Sequence, residues 1–548
     1  MKMGHWKVTP YELQDGTSGK LVYASVEAGA PVLKLPLNAK GWHAIFIGMY
    51  CSALPPSLAW LKLDGDAAPV PRVLKGADDN GNSLADVFFK VADLKGQNLY
   101  IGQKNTGYTA ACGIAYVKLI PLTDEEVAGF RADLSEPSHR KLAATCDGYS
   151  FIHDRRPTTK EELLSEVEVF RHTDFDTLLL HAIWGGDKVT YPSKYGTIPG
   201  LEMEGHAVPG HRYFVEAMRE LARKNINPVK VLIDGAHDIG MKVHVGVRPA
   251  GWNYGEVLSE FWVTPFWRQH PEWRCIDRDG SHTTRMSWTF PDVRQHVIGG
   301  LQEAVSFGAD GAHLVFCRGV PVVLYEQPFL EMFQKEYGLD PRKLDEETDP
   351  RIRKTWAKVV TTFMREARAM LDKEQKRRGG GKHLELSAMV FGNEYDNMLY
   401  GLDVRQWVAE GLIDEIFTDK AGHGAKKRFD DINFYLEVCR PKGIPFRPTY
   451  TTLPPGYNNT LGEALSWYDK GVNGFAFWDA GQLSGWCWHC LGPELIAPGT
   501  VVARMGHVEE LRLRDPKESG SAKRATQLRL HSAGGIVADG RFPPWMGG

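Results

Sequence analysis

What the chain lacks narrows its class first. No stretch approaches ~18 consecutive apolar residues, the length a membrane-spanning helix needs, and the opening "MKMGHWKVTPYELQ" has no apolar core of an export signal. The expectation is a soluble protein with no membrane partner, cytoplasmic unless an export signal has been trimmed, in which case secreted or periplasmic. Positive charge is not in excess: 65 Lys and Arg stand against 68 Asp and Glu, a net charge of −3. The short basic runs at 376–378 and 426–428 read as solvated helix ends, which argues against nucleic acid. The eight cysteines are scattered, and only Cys487-Trp-His-Cys490 lie close together. A lone C-x-x-C without a second pair is a weak zinc or redox signal. No H-x-H or H-E-x-x-H spacing appears. No metal and no cofactor are therefore expected.

What is present is the grammar of more than one domain. With 43% hydrophobic and 24% charged residues over 548 positions, the chain is ordinary globular protein, long enough for two or three domains. Residues 1–135 read as an all-β sandwich. Runs such as "KLVYASVEA", "WHAIFIGMY", "DVFFKVADL" and "GIAYVKLIPL" are rich in β-branched and aromatic residues and separated by Gly, Pro and Asn turns. Over residues 136–514, short apolar runs alternate with long amphipathic segments. The candidate strands are "YSFIHDRR", "DTLLLHAIW", "KVHVGVRPAGW", "AHLVFCRG", "HLELSAMVFGNE", "DEIFTDK", "PFRPTYTT" and "GFAFWDAG", each followed by a helix. Eight such units predict an α/β fold, a (β/α)8 TIM barrel behind the N-terminal sandwich. Residues 515–548 form a C-terminal extension expected to pack on the barrel or the sandwich.

In such a barrel the chemistry sits where the strands end. Those ends supply Asp154, His181, Trp184, Arg248, Trp252, Arg318, Tyr325, Asn393, Trp478 and Asp479 as candidate substrate contacts, with Glu326, Glu394 and Asp419 as the leading catalytic acids. Carboxylates and Arg bind hydroxyls, and Trp stacks on sugar rings. Sixteen Trp and nineteen Tyr lean the same way, although extra core aromatics explain them equally well. Two carboxyl groups flanking a glycosidic bond can break it, one donating a proton and the other attacking carbon or activating water. Arg248 and Arg318 suit an anionic sugar, a uronate or a sulfate ester, or they orient the catalytic carboxylates and lower their pKa.

The stretches "GADGAHLVFCRG", "SWTFPDVRQHVIGGLQEAV", "LYEQPFLEMFQKEYGLDPRKL", "GLDVRQWVAEGLIDEIF" and "VNGFAFWDAG" resemble the glycoside hydrolase-like family 10 proteins over roughly residues 140–515. The resemblance implies a barrel glycosidase acting on a poly- or oligosaccharide. Its members often carry Asp in the fourth strand, where this chain has Val315. Glu326, eleven positions on, is the nearest replacement, and its alternative role is a charge at a helix start. Glu394 is otherwise a turn residue, and Asp419 otherwise an ion-pair partner of Lys420 or Arg428. A non-catalytic carbohydrate-binding protein on a degenerate barrel and a polysaccharide lyase are the competing readings. The sandwich is either a sugar-binding module or a buttress, and the even charge balance permits a homo-oligomer.

Overall fold

The computed structural model describes residues 3–13, 16–51, 56–74, 83–104, 110–203, 209–249, 251–252, 259–450, 460–481, 492–514 and 516–517. The Cys487/Cys490 pair and the extension from 518 onward lie outside them.

Eight parallel strands form the nearly closed barrel: Leu142–Cys146, Phe175–Gly185, Lys242–Val247, Gly311–Val315, Glu385–Phe391, Glu415–Asp419, Phe446–Pro448 and Phe475–Phe477. Each pairs with its sequence neighbour, and the first also pairs with the eighth, Ala144 opposite Phe477. The seventh and eighth meet through a single bridge, Thr449 with Ala476, reinforced by the Tyr450 amide donating to the Ala476 carbonyl at 2.9 Å. Strands covered on both faces read as near-continuous apolar runs, and Gly311-Ala-His-Leu-Val315 is buried at every position. Gly311 is required by close approach: a Cβ there would meet the Glu385 carbonyl oxygen at 2.1 Å. Helices return the chain over the outside. The longest, Pro350–Arg377, starts with the Asp349 side chain accepting from the Arg351 amide and a proline in the first turn.

The first strand is not where the sequence pattern places it. "YSFIHDR" folds as a helix, Ser150–Arg155, which buries Phe151 and Ile152, and the strand is the preceding "LAATC". The residue leaving that strand is therefore Asp147, not Asp154. Arg447 lies inside the seventh strand, at the closed end of the barrel. A hairpin, Arg274–Ile276 with His282–Met286, decorates the long connection after the third strand.

An additional sheet-rich domain precedes the barrel. One antiparallel set runs Lys7–Glu12, Ser18–Ser25, Ala111–Pro121, Trp42–Cys51, Ser83–Asp93. A second runs Val70–Leu74, Ser57–Leu63, Asn98–Gly102, Leu33–Pro36, and one parallel pair, Ser57 with Ala111, joins the two. The helix Asp124–Ser135, begun by a Thr123/Glu126 capping box, leads to the barrel and inserts Phe130 among Phe46, Phe88 and Val91. The domain contacts the helix Lys160–Glu168 through Lys62–Glu161 (2.5 Å) and Lys104–Glu162 (2.7 Å).

The closed end of the barrel is polar, and charge pairing makes that tolerable. Lys242 reaches Glu385 (2.7 Å) and Glu415 (2.9 Å), and Arg447 reaches Glu415 (2.9 Å) and Asp176 (2.6 Å). Side chains along a strand alternate between faces, so the next inward layer is His244 and His313, both bonded to the Ser387 hydroxyl (2.8 and 2.9 Å). Glu415 is 1% exposed. Removing one partner of a buried charge cluster costs about 3–5 kcal/mol, so Glu415→Gln is expected to lower unfolding free energy by that amount in denaturant titration. A loss below ~1 kcal/mol would show that the cluster does not hold the closed end together.

Candidate active site

The strands open at their C-terminal ends, and alternation selects what faces the axis. Asp419 shares the inward parity of Glu415 and Phe417, and Arg248 that of Lys242 and His244. Val315 shares the parity of Gly311 and His313, so the fourth strand does aim its missing-acid position inward, but with a fully buried valine. Arg318 follows in a short 3-10 turn, Phe316–Arg318.

Trp478 organises the mouth. The guanidinium carbons of Arg248 and Arg318 lie 5.6 and 5.2 Å from its ring centre, and the His181 ring lies 5.6 Å away. Arg248 Nη2 stands 3.3 Å from His181 Nδ1. Burial first, then the charge of Arg248, holds His181 well below its ordinary pKa. Among the described residues, neither Arg248 nor Arg318 makes an ion pair with a carboxylate. Burial and the like charge of Arg248 push Arg318 below its usual range. Two adjacent guanidiniums present a fork of N–H donors of the kind that binds carboxylate or sulfate groups.

The acids lie beside them. Asp479 follows the eighth strand with φ of 43°, a left-handed conformation that non-glycine residues rarely adopt. Its amide donates to the Thr145 hydroxyl oxygen at 2.7 Å, and the hydroxyl lies 3.2 Å from Asp479 Oδ1. Burial pushes the Asp479 carboxyl up to about 7; the charge of Asp147 raises it further, and Arg248 and Arg318 pull the other way. Asp147 accepts from the amides of Tyr149 (2.9 Å) and Ser150 (2.7 Å) and from the Ser150 hydroxyl. Behind it, Glu166 pairs with Arg155 at 2.6 Å and is pushed to about 7, chiefly by burial. Asp419 accepts from the Ala421 amide at 2.8 Å. Its neighbour Asp430, 3.1 Å from Lys420, is raised to about 6 by burial.

The structure thus brings together His181, Arg248, Arg318, Asp419, Trp478 and Asp479 from the sequence candidates. It does not bring in the others. Glu326 is fully buried; its carboxylate accepts from the amides of Ile276 (3.2 Å) and Leu324 (3.1 Å) and from the Cys275 thiol, pinning the hairpin to the start of helix Gln327–Tyr337. Glu394 is 47% exposed on the outer surface, paired with Arg405 at 2.7 Å. Tyr325 bonds Glu346 (3.0 Å) and Arg278 (3.1 Å). Asn393 caps the helix Glu394–Met398 through the Asp396 amide. Asp154 bonds His153 at 2.6 Å. Trp184 packs against Tyr149 and Trp262, and Trp252, with no exposed surface, packs on Phe266. Asp147 is the functional candidate that the sequence pattern missed. Its signal was an acid followed by glycine, closing a run of small residues.

No family model matches the chain, and no curated protein sequence matches it. Among solved structures, the chain is similar to the catalytic domain of a β-amylase from Paenibacillus polymyxa (11% identity, TM-score 0.38, covering 62% of this chain and 92% of that one). It is also similar to an α-galactosidase from Thermus thermophilus (11%, 0.31, 86% and 90%) and to a ruminal GH26 endo-β-1,4-mannanase (10%, 0.29, 91% and 89%). At these identities and scores none transfers an activity, and the functional assignment has to come from the mouth itself.

Removing the negative neighbour eases ionisation, so Asp147→Asn is expected to lower the Asp479 midpoint from about 7 toward the ordinary carboxyl range. Side-chain carboxyl 13C NMR of aspartate-labelled protein, titrated from acid to pH 8, measures it. A midpoint unmoved by the substitution would break the coupling.

Proposed function

We propose that the protein is a glycoside hydrolase acting on an acidic poly- or oligosaccharide. The observation that carries this is a carboxyl, Asp479, held up to about 7 beside Asp147 and two arginines that lack an ion-pair partner among the described residues. A carboxyl that keeps its proton near neutrality is suited to donate it to a glycosidic oxygen. Asp419, from the sixth strand, is the second carboxylate, attacking carbon or activating water. Asp147 is a positioning residue whose charge adds to burial in raising Asp479. Arg248 and Arg318 receive the carboxylate or sulfate of the sugar, with Trp478 as their shared wall. In this scheme Glu326 and Glu394 are structural. The barrel of residues 136–514 is the catalytic domain, and residues 1–135 are an accessory β-sandwich.

A polysaccharide lyase is the second reading, favoured by the same arginines. In a lyase they would neutralise a uronate carboxylate while a base removes the adjacent ring proton.

Purified protein is screened on aryl glycosides and on uronate-containing and sulfated glycans. Asp479→Asn and Asp419→Asn are each expected to lower kcat/KM by at least about a hundredfold. The proton on Asp479 is lost as pH rises through about 7, so activity should fall about tenfold per pH unit above that point. Products bearing a new ultraviolet-absorbing double bond would replace hydrolysis by elimination. Activity untouched by both substitutions would remove the assigned acids.

A further inference from the structure

At the end of the barrel opposite the mouth, donor atoms from two distant parts of the chain converge. Asp133 lies near the end of the helix Asp124–Ser135, His139 ends the turn Pro137–His139, and His507 precedes the helix Val508–Arg512. Asp133 Oδ1 is 2.7 Å from His507 Nε2 and 3.5 Å from His139 Nδ1. One donor atom from each of the three lies within 4.8 Å of the others. A tetrahedral zinc ion with bonds of about 2.0–2.1 Å needs donors roughly 3.3 Å apart, and the observed separations bracket that value.

The surroundings fit a cation. His507 Nδ1 stands 2.8 Å from Asp174 Oδ2, which also accepts from the Gly506 amide at 2.8 Å. That is the carboxylate–histidine arrangement that fixes the ring and aims its other nitrogen at a metal. The His139 Nδ1 atom is buried and has no hydrogen-bond partner, and the two imidazole rings lie 3.7 Å apart. Arg504 holds Asp133 Oδ2 at 3.0 Å and is further from Oδ1, at 3.4 Å. The cluster opens into a depression of about 1160 Å³ whose walls carry Glu125, Glu126, Glu136, Glu509 and Glu510 against only Lys141 and Arg504. By contrast, the other gathering of such donors, His244, Glu385 and Glu415, lies in the barrel lumen with two cations, Lys242 and Arg447, on its carboxylates.

We infer that Asp133, His139 and His507 bind a divalent cation of the zinc type, with the fourth coordination position open to the acidic depression. The ion ties the segment entering the barrel to the segment leaving it, 374 positions apart between Asp133 and His507.

Chelator-treated full-length protein is titrated with zinc chloride by calorimetry and with cobalt(II) by absorption. One equivalent is expected at this site, with a cobalt spectrum lacking thiolate charge-transfer bands. That spectrum separates it from the Cys487/Cys490 pair, whose double Cys→Ser variant should keep the equivalent. His139→Ala is partly exposed and expected to fold normally. It and His507→Gln should each weaken binding by at least about tenfold, and zinc at a hundred times its Kd should raise the wild-type Tm but not that of His139→Ala. Absence of zinc binding, binding only through thiolates, or affinity unchanged in His139→Ala would overturn the assignment. None of these outcomes depends on the glycosidase proposal.

Discussion

The first and eighth barrel strands run side by side, Ala144 opposite Phe477, and that adjacency sets Asp147 and Asp479 in one desolvated volume. Two like charges in such a volume cannot both be ionised cheaply. Asp147 accepts from two backbone amides, and burial first, then the charge of Asp147, raises the Asp479 carboxyl to about 7. The left-handed backbone of Asp479 and its bonds to Thr145 fix the carboxyl in place. The arginines temper its pKa without forming an ion pair with it.

The lumen is layered by the same logic. Its closed end holds Lys242, Arg447, Glu385, Glu415 and Asp176 in mutual ion pairs. In its middle, His244 and His313 both bond the Ser387 hydroxyl. Only toward the mouth does charge stand without such partners among the described residues, at Arg248 and Arg318. Charge is paired within the closed end, and the two guanidiniums stand against Trp478 at the open end.

Much of this was legible in the sequence, because apolar runs ending in a polar residue mark barrel strands. "GFAFWDAG" placed Trp478 and Asp479, "DEIFTDK" placed Asp419, and "KVHVGVRPAGW" placed Arg248. The first strand was not legible. "LAATC" is built from small residues with little strand preference, whereas "YSFIHDR" has a strand's apolar content and folds as a helix. That displacement hid Asp147. Glu326 misled for a different reason. Its place after the fourth strand suggested the mouth, but its partners are amides of the 274–286 hairpin and of the loop before its own helix, a long-range contact that no local pattern encodes. Trp184 and Trp252 look like sugar platforms by position and are core by packing.

The central claim is that the mouth is built for an anion on a sugar. Calorimetric binding of a uronic-acid oligosaccharide, compared with the same oligosaccharide after carboxyl reduction to the neutral sugar, tests it most directly, using an Asp419→Asn/Asp479→Asn variant so that nothing turns over. The account predicts that the acidic ligand binds at least about tenfold more tightly, an advantage worth about 1.4 kcal/mol, and that Arg248→Met abolishes the difference. Equal affinity for the acidic and neutral ligands would contradict it.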